Sequence, residues 1–431
     1  MKPKTKYCKL GIACILVFLL IAGCASKDRI DSGPRPVSQT PAQGENQMVA
    51  GPAGGTGYVA PVVEEQSTPV EVSADVGEQQ KARDEIGLTD TGIEQTKSLQ
   101  TGRYCYDTMD AQYHTLYVEL LTIVENSQEN IRISTDNADA LQYAFLCMFY
   151  DHPEIFWIDG YTYMRHEDST GSYFTFSGRY TYTREESAGY QLALDQYFAQ
   201  VQATIPANAS QYEKVKGVYE YIVRHTEYDP TARDNQNILS VFLYGKSVCQ
   251  GYVKAMQYLL ERLGVASTMV VGRVATGEGH AWNLVNIDGA YYYVDPTWGD
   301  SSYSADNAAV AASDQEVNYE FLNITTAELE RTHQSTNVVP LPCCVATEAN
   351  YYVMENLYFA GYDEEHLSAV FDDAYASGER FVTIKCSDEA VYQNMYNELL
   401  TNQGILDYLP SDVTSIEYVT SEDQRTMSFW L

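Results

Sequence analysis

Three residues of this chain have the side-chain types of a thiol catalyst: Cys249, His280 and Asp295. A thiolate attacks a carbonyl carbon, an imidazole moves the proton, and a carboxylate orients the imidazole and offsets its charge. Cys249 opens a helical pattern. Tyr252 and Val253, Met256, Leu259 and Leu260, and Leu263 recur as an apolar stripe, Gly264 suits the position after the helix, and Ser247 suits the N-cap. That count puts Cys249 at the second helical position. There its own N–H lacks an intrahelical acceptor and the helix dipole favours a thiolate. The same N–H can hold an oxyanion, and Gly251 leaves room for close approach. A lone Cys at a helix start is ordinarily a small buried apolar residue, so the case rests on its two partners.

Those partners fall on one predicted hairpin. His280–Ile287 and Ala290–Asp295 read as strands around Asp288-Gly289, a strong two-residue turn signal. If Ile287 pairs with Ala290, Trp282 faces Asp295 and His280 faces Thr297. His280 and Trp282 share a face by the period of two, so Asp295 is the diagonal neighbour of His280. The expected contact runs from one carboxylate oxygen to the Nδ1–H of His280, leaving Nε2 for the thiol.

The rest of the chain supplies the frame. Helical spacing is predicted over Tyr113–Val124, Ala138–Phe149, 186–203 and Gln211–His225, the second stopped by Asp151-His152-Pro153. Ile155–Arg165 and Tyr173–Thr183 read as strands joined by a turn, and Ser267–Val274 as another. Near the C-terminus, strands at Val382–Lys385 and Ser415–Tyr418 lie among helices at Glu364–Tyr375 and Ala390–Leu400. The expected organisation is a leader over 1–23, a disordered tether over 24–97, an N-terminal α+β region over 98–205, a catalytic domain over 206–335 and a small C-terminal α/β domain over 340–431.

The segments Lys246-Ser247-Val248-Cys249-Gln250-Gly251-Tyr252, Gly279-His280-Ala281-Trp282-Asn283 and Val294-Asp295-Pro296-Thr297-Trp298 resemble the three motifs of the transglutaminase-like superfamily, in that family's order. The resemblance covers about 206–330, and residues 142–158 are similar to N-terminal regions of secreted bacterial members. It implies an α+β fold similar to papain's, with a Cys-bearing helix packed on an antiparallel sheet that carries His and Asp. It implies a Cys249–His280–Asp295 triad and no cofactor or metal. Some members add an oxyanion donor. Tyr228 is the candidate here, beside its plain reading as a packing residue. Gln250, Gly251, Trp282 and Trp298 are candidates for lining a substrate groove, the tryptophans equally for packing against the hairpin.

Other titratable residues point to less. His152, His225 and His333 lack metal-ligand spacing and read as solvated or capping residues. Asp300, Asp306 and Asp314 lack the EF-hand pattern and read as a solvated acidic loop.

The N-terminus points to an extracytoplasmic setting. Lys2, Lys4, Lys6 and Lys9 precede an apolar run over Leu10–Ala22, too short to span a bilayer comfortably. Leu20-Ile21-Ala22-Gly23-Cys24 resembles a bacterial lipobox, which implies cleavage and lipidation at Cys24. The chain has 431 residues and a net charge of −32, and losing residues 1–23 with their four lysines leaves −36. Such a surface repels phosphate backbones, which excludes nucleic acid as a natural partner. Nine cysteines at irregular spacing form neither a zinc motif nor a disulfide framework. The expected protein is a lipid-anchored, cell-surface thiol acyl enzyme acting on peptide or protein amides, with hydrolysis by a peptidase or amidase favoured over crosslinking. The alternative is a non-catalytic module that binds peptides or cell wall.

Overall fold

The computed structural model describes residues 27–31, 57–66, 76–168, 171–300 and 317–431. These residues fall into two compact units. One comprises 57–297 with 333–343, and the other comprises 27–31, 298–300, 317–332 and 344–431. The leader and Cys24 lie outside the described residues.

The first unit contains the predicted hairpin. Asp288 (φ 51°) and Gly289 (φ 92°) both take the left-handed conformation that a tight hairpin turn requires. Ala290 pairs with Ile287 and Val294 with Asn283, the register counted outward from the turn. The strand Gly279–Ile287 also pairs antiparallel with Ser267–Val274, whose far edge takes the short strand His333–Ser335. The helix Cys249–Arg262 packs on this sheet. Its Val253 joins Met269 and Ala281 in one apolar cluster, and Asn283 Nδ2 donates to the Val253 carbonyl at 3.1 Å.

That cluster extends into residues expected to form a separate region. The helix Ala138–Asp151 buries Leu141, Ala144, Phe145, Cys147, Met148, Phe149 and Tyr150, more than one helical stripe. It therefore has two apolar faces to cover. The same cluster holds Phe174 and Phe176 of the strand Gly171–Tyr180 and Cys249 and Val253 of the thiol helix. Gln257 Nε2 donates to the Tyr150 carbonyl at 3.0 Å. The Asp151-His152-Pro153-Glu154 run is a structural joint. Asp151 accepts from the backbone N–H groups of Cys105 and Tyr106, and His152 Nδ1 pairs with Glu154 at 2.8 Å. His152 is thus buried and paired rather than solvated, whereas His225 bonds the Tyr221 carbonyl at the end of its helix. One core spans residues on both sides of the expected boundary at 205.

The expected tether also differs from the structure. A strand at Val62–Glu65 and helices at Val76–Glu85 and Asp90–Gln100 lie within it, with Leu88 and Ile93 buried. Thr89 caps the second helix, its Oγ1 accepting from the Gly92 N–H. Averaging composition over a long polar stretch concealed this short amphipathic end. The strand Val62–Glu65 adds in parallel to the edge of Ile158–Asp168, in a sheet completed by Gly171–Tyr180 and Ile131–Ile133.

The second unit is a five-stranded sheet in the order Lys27–Asp31, Ser415–Ser421, Thr426–Trp430, Phe381–Cys386, Tyr358–Phe359. The strand Lys27–Asp31 also falls inside the expected tether. Helices Glu364–Ser377 and Glu389–Tyr396 contribute Leu367, Phe371 and Met395 to a core with Ile384, Met427 and Phe429. Residues 317–332 join this unit. Glu328 pairs with buried Lys385 at 3.0 Å, and Glu320 accepts from Thr426 Oγ1. The expected catalytic domain of 206–335 is thus interrupted, and the chain rejoins the first unit at His333. None of the described helices is long and apolar enough to cross a membrane.

Candidate active site

Cys249 is the first residue of its helix, one position earlier than counted, because Val248 rather than Ser247 is the N-cap. The Ser247 hydroxyl is engaged elsewhere, 2.6 Å from Ser240 Oγ and 3.1 Å from the Asn235 carbonyl it donates to. As a first-turn residue, Cys249 still directs its N–H outward from the helix end. Gly251 leaves room for this arrangement rather than for a substrate. A Cβ there would stand 1.9 Å from Ser247 Oγ and 2.7 Å from Ser240 Oγ. The second glycine of the turn-side motif, Gly279, holds the backbone next to His280.

His280 and Asp295 meet as the hairpin register requires. His280 Nε2 lies 2.6 Å from Asp295 Oδ2, with both side chains buried. The ring is oriented opposite to expectation: Nε2 faces the carboxylate, which leaves Nδ1 for the thiol. Burial pulls the imidazole pKa down, but Asp295, followed by a hydrogen bond and charge interaction with Cys249, lifts it to about 10. Burial likewise works against the Asp295 carboxylate, yet His280 and then His333 hold it well below the usual range. At neutral pH the site therefore holds an imidazolium against a carboxylate.

His333 is a site residue that the sequence reading passed over. Its Nε2 lies 3.2 Å from the same Asp295 oxygen, and its ring is buried. It arrives on an edge strand paired with Val274, far along the chain, and no local pattern announces it. Trp282 packs beneath both imidazoles, at 6.0 Å from His280 and 5.0 Å from His333 between ring centroids.

His280, Asp295 and His333 are the one group with metal-ligand character among the described residues, their ligand atoms all within 4.8 Å of one another. A 2.6 Å N···O separation is a hydrogen bond, since two ligands of one metal at about 2.0–2.2 Å stand farther apart than that. Asp306 and Asp314 lie outside the described residues.

Tyr228 shares the site. The two-residue strand Glu227–Tyr228 pairs with Lys246–Ser247, just before the thiol helix. The point where a Cβ on Gly57 would stand is 3.3 Å from Cys249 Sγ and 3.8 Å from the Tyr228 hydroxyl. Burial, then the negative character of Cys249, raises the phenol pKa, so the hydroxyl remains a proton donor. Gln236 is a second unforeseen neighbour, donating from Nε2 to the Gly57 carbonyl at 3.1 Å.

The four groove candidates do not line a groove. Trp282, Gln250 and Gly251 are enclosed in the first unit, and Gln250 Oε1 is buried without a partner. Trp298 belongs to the second unit, edge-on to Phe321 at 4.7 Å. Large apolar rings fill space beside a hairpin as readily as they line a cleft.

Comparison with known proteins places this geometry. Over 106 residues the chain is 30% identical to kyphoscoliosis peptidase of Mus musculus, and over 103 residues 30% identical to that of Homo sapiens; these stretches are 21% and 20% of this chain. The chain spans 16% of the length of either relative. Among solved structures, a TGase is 16% identical, covering 36% of this chain and 48% of its own, with a TM-score of 0.25. A protein provisionally assigned as a cysteine protease, from Cytophaga hutchinsonii, is 13% identical, covering 44% of this chain and 80% of its own, with a TM-score of 0.23. Overlap that slight decides nothing by itself. The family model for the transglutaminase-like superfamily matches residues 199–296, the stretch that carries Cys249, His280 and Asp295: this part of the chain is a transglutaminase-like domain.

Proposed function

We propose that this domain is a thiol acyl enzyme acting on peptide or protein amides. The observation that carries the reading is the 2.6 Å His280–Asp295 hydrogen bond beside a Cys at the first position of a helix. Cys249 sulfur adds to the amide carbonyl carbon. The oxyanion takes the Cys249 N–H and the Tyr228 hydroxyl. The Nδ1 proton of His280 passes to the amide nitrogen as the C–N bond breaks, and the amine leaves a thioester behind. Water then adds, gives its proton to His280, and the C–S bond breaks to release the acid and restore the thiol. A lysine amine in place of water would yield a crosslink. Hydrolysis is the favoured outcome, because a surface enzyme works in bulk water.

Alkylation of Cys249 by iodoacetamide, read by mass spectrometry of its peptide, tests this. The ratio of rates at pH 6 and pH 9 reports activation. The expected ratio lies within tenfold of unity, while His280→Ala should slow the pH 6 rate roughly a hundredfold, as for an ordinary thiol. An ordinary profile in the native protein would instead favour the peptide- or wall-binding module. We further propose lipidation at Cys24 and attachment to a bacterial membrane. Loss of fatty-acid incorporation in Cys24→Ser would support that, and unchanged incorporation would refute it.

A further inference from the structure

Cys249 is wholly buried and His280 is 6% exposed, although an acyl enzyme needs both to meet substrate. What covers them is the chain itself. Gly57 lies against the thiol, so close that a Cβ on it would stand 3.3 Å from Cys249 Sγ and 2.7 Å from the Gly279 carbonyl oxygen. On either side the backbone is held as a peptide ligand would be. The Tyr58 N–H donates to the Gly279 carbonyl at 3.3 Å, next to His280. The Gln236 amide donates to the Gly57 carbonyl at 3.1 Å and accepts from the Val59 N–H at 3.2 Å. The Tyr58 hydroxyl reaches that of Tyr150 at 3.0 Å. Apart from that phenol pair, every one of these contacts uses main-chain groups of the segment, which any extended peptide could offer.

The segment is anchored downstream. Val62–Glu65 pairs with Gly160–Tyr163, and the Gln66 N–H donates to the Tyr163 carbonyl at 2.9 Å. Arg179 bridges to Glu64 at 2.8 Å. Gly160 is fitted to this strand, since a Cβ there would stand 2.0 Å from the Val62 carbonyl oxygen. The strand itself is exposed, so it stabilises no core of its own. Its effect is to hold Gly57–Ala60 across the thiol.

Resting on the acyl-enzyme reading, we propose that Gly57–Ala60 is a built-in substrate mimic, and that it states the substrate class of the site. The class is an extended, uncharged peptide with glycine against the thiol and an aromatic residue immediately after it. A side chain at the glycine position meets the Gly279 carbonyl, and the aromatic ring finds Tyr150. The strap must leave before such a peptide reaches Cys249, so the described conformation is self-blocked.

The test measures Cys249 alkylation at pH 9, where a thiol ionises with or without help from His280. Gly160→Val evicts the strap from its anchor, and Gly57→Val evicts it at the thiol end. Both variants of the full chain should label at least about tenfold faster than the unaltered protein, because a tethered occupant acts at millimolar effective concentration. A capped Gly-Tyr-Val-Ala-Pro peptide at millimolar concentration should slow labelling of Gly160→Val, and a capped Val-Tyr-Val-Ala-Pro peptide should not. Two variants acting at opposite ends guard against misfolding of either one. Equal pH 9 rates in all three proteins, or equal protection by both peptides, would overturn the proposal. The pH 6 to pH 9 ratio is independent of access, so an inactive thiol and an absent strap give different results.

Discussion

His280 is pulled in two directions. Burial favours the neutral ring, and Asp295 and Cys249 favour the charged one and prevail, raising its pKa to about 10. A folded-state value above the ordinary 6.5 makes a stabilising contribution that is complete below about pH 6.5 and lost as pH rises through 10. The depressed Asp295 works the other way, contributing above about pH 4 and losing its share as pH falls below that. Asp295→Asn should therefore lower Tm most between about pH 5 and 7, and the gap from the unaltered protein should narrow above pH 10 in thermal melts. The same variant should cut amide turnover by about 10²–10⁴-fold, through loss of ring orientation. His333 touches no reacting atom and acts through Asp295, so it is a positioning residue. His333→Ala should slow turnover about tenfold and move the His280 limb of the kcat pH profile, while His333→Gln, which keeps an N–H donor, should recover most of both. A lowered Tm with an unmoved pH limb would assign His333 to packing alone.

At the scale of the element, the thiol helix depends on two fits. Gly251 lies where a Cβ would meet two serine hydroxyls, one of them on the strand just before Cys249. Gly251→Ala should cost about 1–3 kcal/mol in urea unfolding, the range for overpacking, and should misplace Cys249. Farther along, Lys254 is buried with its Nζ 3.3 Å from the Phe149 ring centroid and without a hydrogen-bond partner. Burial lowers its pKa to about 7. The unfolded chain holds that proton up to its ordinary value of 10.5, so the buried amine opposes folding most at pH 7 and below, and least above pH 10. Lys254→Met should raise Tm, by more at pH 7 than at pH 10. A pH-independent change would mean that packing, not charge, governs the position.

For the molecule as a whole, the two units have separate apolar cores, and the sites argued above lie in the first. Phe429 is fully buried in the second. Phe429→Ala should cost about 3–5 kcal/mol, appear as one lowered transition in calorimetry, and leave the Cys249 labelling profile unchanged. A change in that profile would show that the units unfold as one.

Local rules were enough to read much of the site from the sequence. The Asp288-Gly289 turn sets the hairpin register, the register puts Asp295 diagonal to His280, and the apolar stripe from Tyr252 to Leu263 puts Cys249 at a helix start. Each of these depends on neighbours within a few residues. Tertiary structure alone decided the rest. Which imidazole nitrogen faces Asp295 depends on a side-chain rotation set by packing. His333 comes to the site by edge pairing, and Thr426–Trp430 is a central strand with no alternation to betray it. Gly57 reaches the thiol across 192 positions of sequence through a strand whose residues read as polar linker. Contacts between segments so far apart leave no periodicity in either one, because each segment meets its own local rules equally well without the other.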